Sequence, residues 1–479
     1  MEPSFYFFDL ETSGIRAREG RVMQFGGQRT GMDLEPVGEP DNLLIKLTDD
    51  ILPEPGAILV TGITPQATQQ EGLTEAEFLR YFAGHIALPN TVFVGFNTVR
   101  FDHEFMRFMM YRNFYDAYEW EWKDGRSRWD ILDLTRMVRA LRPDDIAWPV
   151  DAEGKPTNRL ELLTAANELE HDGAHDALSD VRATVALARL LRSKQPKLFD
   201  YLLKVRTKSE VAALVNAGKP FIYTSGKYPS AYEKTTIVTT LGAHPSGQAA
   251  VMVYDLRTDP TPLLHLSPAE LAAAMQERHE DETKRFPVKT LKFNRCPAIA
   301  PLGVLDDASI TRLKLDMTAV KRNAAILEKA AGFYENLARA INLLEQERQT
   351  VQSQEKTEVD EQLYDGFFGD GDRTKMAVVR AADASDISGL DLEFDDARLT
   401  GLLPLYKARN FPSSLSGEER ENWDKYRENR LLGGGSESRA ARYFKELSEL
   451  STQADLAPGK RFLLEELQLY GESILPAPD

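Results

Sequence analysis

The sequence has little cysteine, no long apolar run and no signal-peptide pattern, and each absence excludes a class of protein. It contains a single cysteine, Cys296, among 479 residues, which excludes an internal disulfide framework and any zinc site built from several cysteines. No apolar run is long enough to cross a bilayer as a helix. The short aromatic run near the beginning lacks the preceding basic region of a signal peptide. We therefore expect no membrane contact and, by default, a cytoplasmic protein.

Positive charge is also scarce. The chain has 58 Lys and Arg against 75 Asp and Glu, a formal net charge of −17. This balance argues against indiscriminate binding to nucleic acid. It leaves room for a local basic groove, whose few phosphate contacts would make binding weak at high salt. The hydrophobic content of 42% is ordinary for a globular protein, and the length requires more than one hydrophobic core.

The patterning of the chain divides it into three regions. Buried strands followed by helices predict a mixed α/β sheet up to about Gln195. Short β-rich runs separated by Gly, Pro and Ser come next, with helices predicted at 267–277 and 319–352. The acidic stretch 353–361 is interpreted as a linker, and the rest of the chain has a helical pattern. The predicted domains are residues 1–196, 197–352 and 353–479.

The most informative stretch is the first predicted strand. Phe5 to Phe8 form an apolar aromatic run, and the turn signal Ser13-Gly14 follows shortly after it. Since side chains alternate along a strand, Asp9 and Glu11 point the same way at its end. Two carboxylates so close repel each other unless a cation lies between them, and hard oxygen ligands suit Mg²⁺ or Mn²⁺. An isolated Asp-x-Glu is more often a plain polar strand end, so this interpretation needs partners elsewhere.

Three residues further along the chain supply those partners. Asp102 follows a predicted buried strand at 91–97, although by itself it is more simply an acid at a helix N-terminus. His175 and Asp180 open a later predicted helix, a pattern that is weak in isolation. In one domain, the ordered set predicts carboxylates that hold a pair of divalent ions, with a histidine to take the proton from an attacking water. That arrangement indicates phosphodiester hydrolysis.

This set of residues resembles that of the DEDDh branch of the 3′→5′ exonucleases. Longer stretches in all three predicted domains are similar to the exodeoxyribonuclease I family, the bacterial single-strand DNA exonucleases. The stretches include NTVRFDHE (97–104), SRWDILDLTR (127–136), KQPKLFDYL (194–202), QLYDGFF (362–368) and YKARNFP (406–412). The likeness therefore covers nearly the full length of the chain.

The resemblance implies a three-domain architecture and an activity. The fold class would be α/β: a ribonuclease-H-like exonuclease domain, an SH3-like β-barrel domain with inserted helices, and a C-terminal helical domain. Together they would form a C-shaped channel for single-stranded DNA. The DNA would be degraded from its 3′ end to 5′-mononucleotides, in DNA repair and recombination. Another implied partner is the C-terminal tail of single-stranded DNA-binding protein, and we expect a monomer.

The resemblance also implies roles for individual residues. Two Mg²⁺ ions, for which Mn²⁺ can substitute, would be held by Asp9, Glu11, Asp102 and Asp180. Asp9 would bridge both ions, and His175 would be the general base. Glu11 and Thr12 would contact the substrate as well, and Arg159 would contact a phosphate near the scissile bond.

The first motif departs from the family pattern at two positions. Leu10 follows the first aspartate and Ser13 precedes Gly14, where the family pattern has aromatic residues. The ligands are intact, so the departure bears on how the terminal nucleotide fits and not on catalysis.

The segment from Arg112 to Trp129 is crowded with aromatic residues, and Tyr118, Trp120 and Trp122 occupy alternate positions there near several arginines. Rings interleaved with cations are typical of sequence-tolerant binding of a single strand, and we predict that Arg107, Tyr118 and Trp122 contact DNA. Phe114 and Trp129 are predicted to be core residues. A basic stretch from 284 to 295 could line a groove with at most half of its cations, and plain solvation explains it equally well.

Three alternatives stay open from the residues themselves. An RNA-processing exonuclease of the same superfamily would carry the same carboxylates, because recognition of the 2′-OH is not readable here. A non-catalytic scaffold that binds DNA or a repair partner would not need all five catalytic-type residues, and their presence argues against this alternative. A small-molecule hydrolase would leave the second and third domains without a purpose.

Overall fold

A computed structural model describes residues 2–171, 175–247, 249–352, 357–453 and 456–476. Among them, no helix combines the length and the apolar character needed to cross a membrane.

The first domain is built on a five-stranded mixed sheet with the order β3-β2-β1-β4-β5. The central strand β1 pairs antiparallel with β2 and parallel with β4, and β4 pairs parallel with β5. The strands are β1 (Ser4–Thr12), β2 (Val22–Thr30), β3 (Asp41–Leu44), β4 (Thr91–Gly95) and β5 (Ser127–Asp130). The helices are α1 (Pro55–Thr61), α2 (Pro65–Glu71), α3 (Glu75–Tyr81), α4 (Asp102–Arg112), α5 (Ile131–Leu141), α6 (Leu160–Ala166) and α7 (Ala177–Lys194). The predicted mixed α/β sheet is confirmed.

The aromatic run of β1 fills the core on both faces of this sheet. Phe5 and Phe7 belong to the cluster that includes residues of α5 and α7, whereas Tyr6 and Phe8 pack with residues of α4. This alternation is the period of two expected of a strand. The next odd-numbered position after Phe7 is Asp9, so the acidic end of β1 lies on the face that α7 covers.

The second domain carries a five-stranded antiparallel sheet with the order β10-β6-β7-β8-β9. The helices α8 (Pro196–Val205) and α9 (Lys208–Val215) lead into it. The strands are β6 (Phe221–Thr224), β7 (Thr235–Ala243), β8 (Ala250–Asp255), β9 (Val288–Lys292) and β10 (Ala298–Pro301), with the helices α10 (Pro268–Gln276), α11 (Asp307–Arg312), α12 (Met317–Glu328) and α13 (Phe333–Gln352). The prediction of one helix over 319–352 is wrong. The chain turns between α12 and α13, where buried Phe333 packs its ring 6.3 Å from that of Tyr254.

The third domain is helical. Its helices are α14 (Asp370–Ala381), α15 (Ala384–Ser388), α16 (Ala397–Asn410), α17 (Gly417–Leu432), α18 (Arg439–Ser451) and α19 (Pro458–Ile474). Residues 353–356 of the predicted linker lie outside the described residues. The end of that stretch is not a solvated linker, because Asp360 is fully buried in a short 3₁₀ turn over Val359–Glu361.

Asp360 is buried because it joins an ion-pair cluster between the first and third domains. Its carboxylate lies 2.8 Å from the Arg21 guanidinium and 2.9 Å from that of Arg409. Arg409 also contacts Asp50 at 2.7 Å, and Arg430 lies 3.5 Å from both carboxylates. Burial by itself would raise the pKa of Asp50, but the surrounding arginines lower it overall. The cluster therefore holds charged groups that would be costly to bury alone.

We expect Asp360→Asn to destabilise the protein by about 3 kcal/mol or more, because it leaves buried guanidinium groups with one fewer anion. Calorimetric unfolding midpoints would measure the loss. The matched control is Asp365→Ala, an exposed aspartate five positions away, which should stay within about 0.5 kcal/mol of the parent chain. Equal midpoints for the two variants would contradict the role of the cluster.

Candidate active site

The candidate site lies at the carboxyl end of β1, where a β-bulge falls between Glu11 and Thr12. Ligand oxygens of Asp9, Glu11 and Asp180 all lie within 4.8 Å of one another. Asp9 and Glu11 reach this position by the alternation of β1, and Asp180 comes from the first turn of α7. The structure therefore brings together three of the carboxylates that the sequence analysis selected.

A glycine allows α7 to come this close to the sheet. Gly26 on β2 pairs with Asp9 on β1. A Cβ atom at Gly26 would lie 2.5 Å from the backbone carbonyl carbon of Ala177, a distance that no side chain tolerates. Gln24 secures the same helix end, because its Nε2 donates to Asp176 at 2.8 Å. Asp180 thereby faces the end of β1.

The fourth carboxylate, Asp102, is held against β1 from the other side. It begins α4 after the parallel strand β4, and it is 4% exposed. Its Oδ1 accepts the backbone N–H of Leu10 at 3.1 Å. Asp102 thus lies beside the strand position between Asp9 and Glu11, as expected of an acid at the carboxyl end of a neighbouring parallel strand.

A cation would relieve the repulsion among the carboxylates of the cluster. Burial raises the pKa of Asp9 well above its usual range, and the charge of Asp102 raises it further. Burial, with the charges of Asp180 and Asp102, raises the pKa of Glu11 to about 8. Burial likewise raises the pKa of Asp102 to about 8. Across the described ranges, none of these three residues forms an ion pair with a cationic side chain. Buried oxygens that no protein cation neutralises fit hard divalent ions.

Asp180 is contacted by two histidines. The backbone N–H of His175 donates to its carboxylate, while the His175 side chain is exposed and the residue has a φ of 70°. The ring of His171 lies 2.6 Å from Asp180 through Nε2. Sequence reasoning selected His175 and missed His171, although the spacing of the two histidines on either side of Asp172–Ala174 was visible. Those intervening residues lie outside the described part of the chain.

The predicted substrate-contacting residues lie in different surroundings. Thr12 is buried, and its hydroxyl donates to the carbonyl of Gly14 at 2.8 Å. Arg159 is exposed at the N-cap of α6. Trp122 is 62% exposed, and Tyr118 is half-buried with its ring under another side chain.

That side chain is Arg107, whose guanidinium carbon lies 5.3 Å from the centre of the Tyr118 ring. Arg107 is itself buried and pairs with Glu104 at 2.8 Å and Glu121 at 2.9 Å. Its charge is thus compensated within the protein, and its guanidinium lies against one face of the Tyr118 ring. Phe114 and Trp129 are fully buried, as predicted for core residues.

A groove that sequence reasoning missed lies beside the cluster. It has a volume of about 370 Å³ and is lined by Ile15, Arg16, Arg18, Arg100, Phe101 and Tyr364, among others. Phe101 immediately precedes Asp102, and Ile15, which is 73% exposed, follows the Asp9–Glu11 motif by a few positions. The signal was present as the run Arg16-Ala17-Arg18. The groove also contains Glu19 and Glu104. Arg16 pairs with Glu19 at 3.4 Å and Arg100 with Asp133 at 3.0 Å, so the protein itself neutralises part of the positive charge there.

The basic stretch from 284 to 295 is partly neutralised by the protein itself. Arg295 pairs with Glu104 at 2.8 Å, and Arg285 pairs with Glu282 at 3.2 Å. Lys284 and Lys292 are exposed. Only part of the stretch is therefore available to a ligand.

Comparison with known proteins agrees with this geometry along the whole chain. Family models described as "Exonuclease", "Exonuclease I SH3-like domain" and "Exonuclease I C-terminal domain" match residues 6–188, 206–342 and 357–474. Exodeoxyribonuclease I of Haemophilus influenzae is 38% identical over 478 residues, which cover 98% of this chain and 99% of that protein. The chain belongs to the exonuclease I family.

Solved structures of exonuclease I share the whole fold. Exonuclease I from Methylocaldum szegediense superposes with a TM-score of 0.91 at 39% identity, covering 99% of this chain and all of that one. Exonuclease I of Escherichia coli in complex with a dA16 oligonucleotide gives a TM-score of 0.90 at 36% identity, with 99% of this chain and 100% of that chain covered. The expected exonuclease, SH3-like and C-terminal regions are confirmed.

Two other matching structures contain groups relevant to the site. One is the zinc-bound form of the E. coli exonuclease I complex with single-stranded DNA, with a TM-score of 0.90 and 36% identity over 99% of this chain. The other is a structure of SSB with exonuclease I in complex with the inhibitor CFAM, with a TM-score of 0.88 and 36% identity over 99% of this chain.

The raised pKa of Glu11 predicts how stability depends on pH in EDTA. Between its unfolded pKa, about 4.3, and its folded pKa, about 8, the folded state holds a proton that the unfolded state releases. Stability should therefore fall as pH rises through this window. Divalent ions, which bind the ionised form, should raise the unfolding midpoint more at pH 8 than at pH 6.

Unfolding midpoints with EDTA or MgCl₂ at both pH values measure this. Glu11→Gln removes the ionisation, so in EDTA at pH 8 it should be at least as stable as the parent chain and gain less from Mg²⁺. The exposed Glu35→Gln serves as the control. A Mg²⁺ shift that is the same at both pH values would contradict the prediction.

Proposed function

We propose that this chain is a Mg²⁺-dependent 3′→5′ exonuclease that degrades single-stranded DNA to 5′-mononucleotides. The observation that carries the proposal is the cluster of Asp9, Glu11 and Asp180, whose ligand oxygens lie within 4.8 Å of one another. Membership of the exonuclease I family supports the substrate. The match to an E. coli structure with a dA16 oligonucleotide supports it further.

Each carboxylate would hold metal in the role expected from the family. Asp9, Glu11, Asp102 and Asp180 would hold two Mg²⁺ ions, for which Mn²⁺ can substitute. When bound, the ions would supply positive charge next to the phosphate that is hydrolysed. The protein's own contribution is to keep the ligands on a rigid strand and two helix ends, so that no reorganisation is needed when substrate arrives.

The proton of the attacking water would go to His175. Its side chain is exposed beside Asp180, on a backbone with a positive φ, so its ring is accessible to solvent and substrate. Histidine is the side chain that most often acts as a general base in enzymes. Arg159, exposed at the start of α6, would bind a phosphate next to the scissile bond.

The single strand would be held by stacking as much as by charge. The exposed Trp122 and the half-buried Tyr118 supply rings, and Arg107 fixes the Tyr118 ring from behind. Glu11 and Thr12 would contact the terminal nucleotide. The groove lined by Arg16, Arg18 and Arg100 would add phosphate contacts, although Glu19 and Glu104 line it as well.

The wider role is part of the same proposal. We propose that the protein works as a monomer in the cytoplasm, in DNA repair and recombination. The structure of SSB with exonuclease I supports binding of the C-terminal tail of single-stranded DNA-binding protein. The domain limits proposed for these functions are residues 1–196, 197–352 and 353–479.

The reaction is tested with a 5′-labelled single-stranded DNA, in Mg²⁺ or EDTA. The parent chain should give a ladder that shortens from the 3′ end only with Mg²⁺. His175→Ala should slow it by about 10²–10⁴-fold, and Asp180→Ala should abolish it. His279→Ala, on the second domain, is the matched control. A matched RNA oligonucleotide degraded faster than DNA would favour the RNA-processing alternative, and intact DNA in every lane would favour the scaffold.

Stacking on Trp122 is tested by KM. Each base stacked on an aromatic ring contributes about 1–3 kcal/mol, so Trp122→Ala should raise KM for single-stranded DNA by roughly 5-fold to 150-fold with little change in kcat. Phe462→Ala removes another exposed ring, 57% accessible on α19, and should leave KM unchanged. If both variants behave alike, Trp122 is not a stacking platform.

A further inference from the structure

A second histidine, His171, connects the carboxylate of Asp180 to the protein interior. Its ring is 6% exposed. Nε2 lies 2.6 Å from Oδ1 of Asp180, and Nδ1 lies 3.0 Å from the hydroxyl of Thr164. Thr164 is fully buried on α6. A continuous chain of hydrogen bonds thus runs from the body of a helix through the ring to Asp180.

Both contacts are satisfied by one neutral form of the ring. With its proton on Nε2, His171 donates to Asp180 and accepts from the hydroxyl of Thr164 at Nδ1. The single proton of that hydroxyl has two alternative acceptors in its own helix, the carbonyls of Leu160 and Glu161, each at 3.0 Å. Both ring nitrogens are therefore engaged by protein atoms, so the ring has no nitrogen to offer a substrate. This separates His171 from the exposed His175.

Asp180 has particular need of such a partner. Its side chain is 20% exposed, more than the enclosed Asp102, and it stands in the first turn of α7. Among the described residues, the backbone N–H of His175 also donates to this carboxylate. A carboxylate at a helix end rotates about its side-chain torsions unless a second donor fixes it, and an ion binds well only to the orientation that its geometry requires.

We infer that His171 is a positioning residue, which holds Asp180 in the orientation that a divalent ion needs. The inference rests on the proposed metal-dependent function. Mutation of a residue that hydrogen-bonds to a metal ligand without touching the metal typically weakens metal binding by about 10–100-fold. Thr164 fixes the ring and makes a smaller contribution, because its loss leaves the contact with Asp180 in place.

The direct test measures Mn²⁺ binding without any DNA, from the electron paramagnetic resonance signal of the free ion. The site that contains Asp180 is identified as the one lost in Asp180→Asn. His171→Ala should weaken that site by about 10–100-fold, and Thr164→Val by only a few-fold. His171→Gln, whose Nε2 can donate at the same place, should recover part of the affinity. His85→Ala, an exposed histidine of the same domain, should bind as the parent chain does.

The kinetic arm separates positioning from proton transfer. His171→Ala should need about 10–100-fold more Mg²⁺ for half-maximal nuclease activity and regain most of kcat at saturation, whereas His175→Ala should stay slow at every Mg²⁺ concentration. Mn²⁺ affinity equal to the parent chain in folded His171→Gln and His171→Ala would overturn the inference. A parent chain that binds Mn²⁺ but degrades no DNA would refute the proposed function, while the Mn²⁺ titrations would still decide the role of His171.

Discussion

Mutual repulsion among four carboxylates held close together is the main constraint on the first domain. Asp9 and Glu11 share a face because β1 has a period of two, and Asp102 and Asp180 are brought to them by the starts of two helices. Burial and the neighbouring carboxylates raise the pKa values of Asp9, Glu11 and Asp102, which means that ionising these groups in the folded protein costs free energy. The strong packing of Phe5 to Phe8 and the glycine at position 26 keep the carboxylates together despite that cost. An ion then binds to a site already formed.

The features that sequence reasoning recovered were local. The strand and its paired acids followed from an aromatic run with alternation, and the order of Asp102, His175 and Asp180 supplied the rest of the set. What it missed depends on distant contacts. Residues 353–361 have the composition of a linker, yet Asp360 is buried because arginines from three other segments converge on it. Composition reports average polarity and not where charges are neutralised.

The same limit explains the histidines and the aromatic segment. One histidine matched a spacing, but only the folded chain shows that His171 touches Asp180 through its ring. Tyr118, Trp120 and Trp122 alternate in sequence, yet Trp120 is 4% exposed and Trp122 is 62% exposed. The reason is that this segment forms 3₁₀ turns instead of a strand, so period-two reasoning does not separate its inner and outer faces.

The buried cluster around Asp360 has a consequence for how this protein can be divided. Arg21 belongs to the first domain, and its backbone pairs with Ser13, two residues beyond Glu11. Its guanidinium is neutralised by the third domain. A fragment that ended before residue 357 would keep Asp9, Glu11, Asp102 and Asp180 but would lack Asp360, Arg409 and Arg430. The strand that carries Asp9 and Glu11 is thus tied, through Arg21, to a residue more than 300 positions further along the chain.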